Sequence, residues 1–245
     1  MRLTLLGTGD AFSSGGRLSS ATLLDLPGCR LLVDCGLTTL TALRRAEITP
    51  STIDVVLLTH LHGDHFGGVP MLLLDAVYNE PRTTPLRIVG PAGTGARVFA
   101  TLDFLFPGAA EKAAAQVAVI VDEWRERLAV RLGPVEVTPF EVVHGSRPDC
   151  YALRISAGGR TVAFSGDTEW ARGLADAAQG TDLLLCECSG FDRALGGHLS
   201  YRSLLAHQAE LDAKRIVLTH LGADVLARLD EVRFETAHDG MVIEW

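Results

Sequence analysis

An α/β fold, with two mixed β-sheets stacked face to face and helices outside, is what this 245-residue sequence predicts. Strand-like runs fall into two blocks, each closed by helix-like segments, the pattern of sheets that must each bury one face. An apolar run ending in Thr-His-Leu also occurs twice, in DVVLLTHLHGDH and again in KRIVLTHLGADV. Each copy is followed by a Gly-containing turn into a helix. That echo implies two related halves, each delivering a histidine from the C-terminal end of a strand. No linker, low-complexity tract or long charge run interrupts the chain, so residues 1–245 read as one domain of ordinary α/β size.

The elements follow in order. RLTLLG, ATLLDL and RLLVDCG open the chain as short β-rich runs, a helix-like stretch covers 37–46, and DVVLLTH is the next strand. Further strands are expected near 86–90, 134–143, 150–156, 160–165, 182–187, 214–219 and 241–244. Helices are expected near 67–78, 91–105, 109–120, 169–178, 200–212 and 222–230.

Composition narrows the function. A hydrophobic content of 47% with 21% charged residues excludes a disordered chain. The net charge of −8 argues against a large nucleic-acid footprint, because phosphate backbones attract basic surfaces. It leaves room for a small anionic substrate drawn in by metal ions, whose charge dominates their surroundings. The five cysteines form no CxxC, and their odd number speaks against a disulfide framework. Cys186 and Cys188 alternate along a strand and share one face, where packing is the better reading than a metal pair. MRLTLLGTGD is too short and glycine-broken for a signal peptide, and no apolar segment reaches the roughly 20 residues of a membrane span. A cytoplasmic protein is the expectation.

The chemistry concentrates in HLHGDH. His60 and His62 are two apart and project to one side of extended backbone. Gly63 then permits a sharp turn that swings Asp64 and His65 toward the same point. So many costly polar groups beside a buried strand need a compensating partner. Imidazole and carboxylate without thiolate are the donors preferred by zinc and other borderline divalent ions. Four such ligands satisfy one ion; a second needs more, and His144 in VVHG, Asp167 in FSGDT and His220 in LTHLG are available. Taken singly, His144 or His220 reads as an ordinary loop residue. No GxSxG, P-loop or dinucleotide fingerprint offers a competing engine.

HLHGDH, followed in order by VVHG, GDT and LTH, resembles the metallo-β-lactamase superfamily, and the resemblance covers nearly the whole chain. The LGTG opening, Arg17, Ser19 and Ser20, and HFGGVPMLLL with PLRIVGPAG resemble its ribonuclease Z and phosphodiesterase branch. The resemblance implies an αββα sandwich with a dinuclear metal site at one edge and, by analogy, a homodimer. His60, His62 and His144 would hold one ion; Asp64, His65 and His220 the other; Asp167 would bridge. Asp34, in LLVDCG, would support the ligands from behind. Two divalent ions of this kind supply a nucleophile from water at neutral pH, and Asp64 could orient that water or accept its proton. Zinc suits the donor set, and manganese or iron also accepts it. Glu187 in CEC and His198 in HLS resemble the branch's acid pair, in which the carboxylate supports a protonated imidazole beside the leaving group; the plainer reading has Glu187 capping a loop and His198 opening a helix. His207 and His238 read as structural or surface residues. Phe12, Phe66, Trp170 and residues 104–108 are candidate substrate walls, although aromatic side chains more often serve the core.

Relatives within the superfamily separate on residues. True β-lactamases generally lack the bridging aspartate that GDT supplies, and His62 stands where di-iron members usually carry a carboxylate. Ribonuclease Z grips transfer RNA with a long arm, commonly placed between the VVHG histidine and the GDT aspartate. Here residues 145–166 leave only 22 positions for it, enough for a hairpin. The expected activity is metal-dependent hydrolysis of a small phosphodiester, either a cyclic nucleotide or a nucleotide-derived diester. Lactone or thioester hydrolysis, RNA 3′ processing and a non-catalytic metal-stabilised binding module are the alternatives.

Overall fold

The computed structural model describes residues 1–145 and 149–245. Two compact units emerge, each with its own sheet. The first comprises Arg2–Gly7, Leu18–Trp124 and Gly240–Trp245; the second comprises Met1, Thr8–Arg17 and Arg125–Asp239.

Strands β1 (Arg2–Gly7), β2 (Ala21–Leu26), β3 (Cys29–Val33), β4 (Val55–Leu57), β5 (Leu86–Gly90) and β6 (Val119–Glu123) build the first unit's sheet, with β14 (Met241–Glu244) on the outer side of β1. The pairs β14–β1, β1–β2 and β2–β3 are antiparallel, and β3–β4, β4–β5 and β5–β6 are parallel. Helices α1 (Thr39–Arg45), α2 (Gly63–Phe66), α3 (Val69–Tyr78), α4 (Thr94–Leu105) and α5 (Ala109–Gln116) connect them. Leu23, Leu32, Val56 and Ile88 from the strands cluster with Leu43, Leu73, Val98 and Leu102 from the helices, all nearly or fully buried. β3, β4 and β5 read as near-continuous apolar runs because both of their faces are buried, whereas β6 at the sheet edge exposes Ile120 and Val121. Truncating one such leucine to alanine costs about 2–5 kcal/mol.

The second sheet repeats the arithmetic. Strands β7 (Val130–Leu132), β8 (Val135–Glu141), β9 (Tyr151–Ala157) and β10 (Arg160–Phe164) pair antiparallel in sequence order. From β10 onward, β11 (Leu183–Glu187), β12 (Ile216–Thr219) and β13 (Glu235–Thr236) are added in parallel. Helices α6 (Arg172–Ala178), α7 (Tyr201–His207) and α8 (Ala223–Leu226) accompany this sheet. Its core gathers Ala163, Leu184, Cys186, Leu218, Leu174 and Leu204. Each sheet thus has seven strands, three antiparallel pairings and then three parallel ones. The Thr-His-Leu echo nevertheless falls on different rungs, since β4 is one strand and β12 two strands beyond its antiparallel block.

Several expectations are corrected. The helix expected over 109–120 stops at Gln116, and Val119–Glu123 is a strand, because its β-branched residues pair with β5. β7 and β13, three and two residues long, were not anticipated. The helix expected over 222–230 is a single turn, Ala223–Leu226, followed by a 3-10 turn at Leu229–Glu231. The chain turns at Gly63 from extended backbone at His62 into α2, in a conformation that does not itself require glycine, since a Cβ there would meet nothing within 4 Å. All five cysteines are buried free thiols, Cys186 and Cys188 in the second core. The segment before Asp167 is a hairpin, β9 and β10 joined through Gly158 and Gly159. Among the described residues, no helix is long and apolar enough to cross a membrane.

Candidate metal centre

In the first unit, Asp34 directly follows β3 and His60 stands three residues after β4. Because these strands are parallel neighbours, both residues reach the same sheet edge. Asp34 adopts left-handed backbone, with φ at 56°. Its Oδ1 accepts the Thr59 N–H at 2.9 Å, and its carboxylate accepts the Thr59 hydroxyl at 3.0 Å. Its Oδ2 lies 2.8 Å from His65 Nδ1. A proton held on Nδ1 leaves the lone pair of Nε2 to face a metal, the usual job of a carboxylate behind a ligand histidine.

The remaining motif residues gather beside it. The His60 ring lies 4.8 Å from that of His62 and 4.2 Å from that of His65, centroid to centroid. His65 Nε2 is 3.3 Å from Asp64 Oδ2. Gly36 makes this crowding feasible. A Cβ on it would stand 2.1 Å from the Asp64 carbonyl oxygen and 2.4 Å from the Ser19 Cβ, so only glycine lets the backbones approach this closely. Asp34→Asn keeps the shape and tolerates the left-handed backbone but removes the charge. It is expected to weaken metal affinity about 10–100-fold, as read by competition with a chromophoric chelator.

The second unit follows the same plan. β8, β10, β11 and β12 all run in one direction, so His144, Asp167, Glu187 and His220 arrive at the C-terminal edge of one sheet. Asp167 Oδ2 lies 3.5 Å from His220 Nε2, 3.9 Å from His144 Nε2 and 3.9 Å from His198 Nδ1. The donor atoms of His144, Asp167 and His198 all fall within 4.8 Å of one another, as do those of Glu187, His198 and His220. His144 Nδ1 is 2.6 Å from the Gly197 carbonyl, which accepts its proton and leaves Nε2 for a metal. His220 is held in left-handed backbone, with φ at 53°. Nitrogen and oxygen donors converging without sulfur fit a borderline divalent ion.

Glu187 and His198 do form a pair. Glu187, 1% exposed, takes His198 Nδ1 at 3.0 Å and the Thr168 N–H at 2.7 Å on the same oxygen. Burial opposes the charged form of His198, but the hydrogen bond and charge of Glu187, with Asp167, outweigh it and raise the imidazole pKa. Burial likewise pushes the Glu187 carboxyl up, against the pull of His198. Both shifts describe one proton retained by the pair above the pH at which free imidazole loses it.

Of the aromatic candidates, Phe66 packs in the first core and Trp170 stacks on His207 at 4.1 Å. Phe104, Leu105 and Phe106 are exposed at the end of α4 in the first unit. Phe12 lines a cavity that also touches His198 and His220. Sequence reasoning missed Thr59, the Gly197 carbonyl, and Glu169, whose Oε1 accepts the Gly197 N–H at 2.7 Å. A backbone acceptor has no side-chain signature; the THL triplet was the one available hint for Thr59.

The sequence matches the family model described as Anti-Pycsar protein Apyc1 over residues 1–238. The chain belongs to this Apyc1 family. Among curated proteins, the Apyc1-family chain is 32% identical to ribonuclease Z of Mycobacterium avium over 188 residues, 71% of this chain and 67% of that relative. With ribonuclease Z of Clostridium beijerinckii it is 41% identical over 91 residues, which span 37% of this chain but only 29% of the relative. Among solved structures, the metallo-β-lactamase fold protein YhfI from Bacillus subtilis superposes with a TM-score of 0.79 at 24% identity, covering 99% of each chain. The Apyc1-family chain therefore has the metallo-β-lactamase fold.

Proposed function

We propose that this chain is a metal-dependent hydrolase of small phosphodiesters, cyclic nucleotides or nucleotide-derived diesters among them. Two divalent ions, zinc foremost, would be held by His60, His62 and His144 on one side and by Asp64, His65 and His220 on the other, with Asp167 shared. The support is that each unit gathers its own part of this set at the C-terminal ends of its strands. Bound there, such ions supply a nucleophile from water near neutral pH and electrophilic support for the phosphoryl oxygens.

The chain's own groups do the rest. Asp34 and the Gly197 carbonyl hold protons on the Nδ1 atoms of His65 and His144 and fix both rings. Asp64 orients the attacking water or takes its proton. His198 donates the proton on Nε2 to the departing ester oxygen as the P–O bond breaks, while Glu187 keeps Nδ1 protonated and supports the ring charge.

The observation carrying the phosphodiester reading is the Glu187–His198 pair at 3.0 Å, because an alkoxide leaving group needs an acid and a thiolate needs it less. The short β9–β10 hairpin, with no arm for structured RNA, supports a small substrate. Metal-loaded protein is expected to cleave bis(p-nitrophenyl) phosphate and to lose that activity on chelation, recovering it with zinc or manganese. Protein that ignores phosphodiesters but opens lactones or thioesters sinks this reading in favour of the second. Preferential cleavage of RNA 3′ ends would favour the RNA-processing alternative instead.

A further inference from the structure

Two different carboxylates fasten the Gly197-His198 step to the Thr168-Glu169 step. Glu187 Oε1 accepts the Thr168 N–H at 2.7 Å and lies 3.0 Å from His198 Nδ1. Glu169 Oε1 accepts the Gly197 N–H at 2.7 Å. Thr168 and Glu169 are neighbours in the chain, as are Gly197 and His198, so these contacts close a ring.

That ring is tied to the strand end that delivers His144. The Glu169 N–H donates to the Val143 carbonyl at 2.7 Å, and the Val143 N–H donates to Thr168 Oγ1 at 3.2 Å. The Gly197 carbonyl in turn stands 2.6 Å from His144 Nδ1. Gly197 has φ at 91°, and a Cβ on it would lie 2.7 Å from the Gly145 nitrogen and 3.0 Å from His144 Nδ1. Only glycine lets the loop come this close, and glycine has no side chain with which to hold the approach. Its place is set by what its N–H grips.

The other end of the same loop is held separately. The Phe191 N–H donates to Asp224 Oδ2 at 2.9 Å, and Asp192 is engaged by Arg202 at 3.0 Å and by Arg228 at 2.7 Å. Loss of Glu169 would therefore free the end that carries Gly197 and His198 and leave the rest in place. Of the two carboxylates, Glu187 is buried and meets the His198 ring directly. Glu169 is exposed and acts on backbone.

We infer that Glu169 is a positioning residue, setting both the Gly197 carbonyl behind His144 and the His198 ring without touching metal or substrate. The inference rests on the metal-hydrolase reading for what His144 and His198 do. Its leverage comes from geometry, since a misplacement of about 1 Å in a supporting group can cost on the order of 10²-fold in rate.

Two readouts distinguish this role from an ordinary surface contact. The first is competition with a chromophoric chelator, which needs no substrate. Glu169→Ala is expected to bind zinc about ten-fold more weakly, the low end of what losing support behind a ligand histidine costs. The second is turnover at saturating zinc. Glu169→Ala should slow a diester with an alkoxide leaving group about ten-fold, short of the roughly 10²–10⁴-fold expected on removing the acid itself. Bis(p-nitrophenyl) phosphate should be cleaved at nearly the wild-type rate. Glu169→Gln keeps an oxygen that accepts the Gly197 N–H and should restore most of both properties. The inference is overturned if Glu169→Ala binds zinc as wild type does or slows both substrates alike. It is also overturned if Glu169→Gln is as impaired as Glu169→Ala, which would assign the effect to charge. Wild-type protein that binds zinc but cleaves no phosphodiester sinks the functional reading, and the chelator competition then decides the role of Glu169 by itself.

Discussion

Asp167→Ala protein is expected to lose metal-dependent hydrolysis of bis(p-nitrophenyl) phosphate by on the order of 10³-fold, several kcal/mol of transition-state support. Asp167 is 3% exposed, and one of its oxygens lies within 4 Å of three imidazoles, those of His144, His198 and His220. A carboxylate among three imidazoles supplies the negative charge that divalent ions held by those neutral donors would need. The variant should therefore also bind fewer than two metals per chain, measured by elemental analysis after gel filtration. Asp167→Asn keeps the side-chain shape and should fail in the same way, separating charge from packing. Two metals and full turnover in either variant would remove Asp167 from the centre.

His198→Ala is expected to depress turnover according to the leaving group. With an alkyl leaving group, which departs as a strong base, the loss should be about 10²–10⁴-fold, the usual range for a general acid. With p-nitrophenolate, which needs little protonation, it should be far smaller. Glu187→Gln should reproduce the same split in weaker form, because Glu187 acts through the His198 ring at 3.0 Å and not on the substrate. An equal loss on both substrates would assign His198 to binding or to metal support instead. That outcome has a structural basis, since its donor atom also lies near those of His144 and Asp167.

Much of this site could be read from the sequence because its side chains are expensive anywhere else. HLHGDH, Asp167 and Glu187 are polar groups at the ends of apolar runs, and the strand ends gather them as expected. Asp34 was separable from a simple turn residue only by its 2.8 Å contact with His65. What escaped was either short or carried by backbone. β13 is two residues long, and nothing in RFETAH distinguishes it from a loop. The α5–β6 boundary in AEKAAAQVAVIVDE contains no glycine or proline, so helix and strand run together until pairing with β5 decides. Phe66 adjoins the metal motif in sequence but turns into the core, because α2 places it on the buried side of its single turn. The shared pairing pattern of the two sheets could not be inferred from the Thr-His-Leu echo, which occupies different rungs in each.

The left-handed backbone at Asp34 and His220 has a thermal consequence. L-residues in that conformation cost about 1 kcal/mol or more each; Asp34 holds it while supporting His65, and His220 while facing Asp167. The metal-free chain bears that cost without return, while ions that bind only the folded state repay it by mass action, by about 2.7 kcal/mol at a hundred times the dissociation constant. For a chain of this length each kcal/mol moves the melting temperature by roughly 2–4 °C. Heat resistance in this protein is thus coupled to metal supply, and a melting curve recorded across zinc concentrations gauges occupancy with no substrate present.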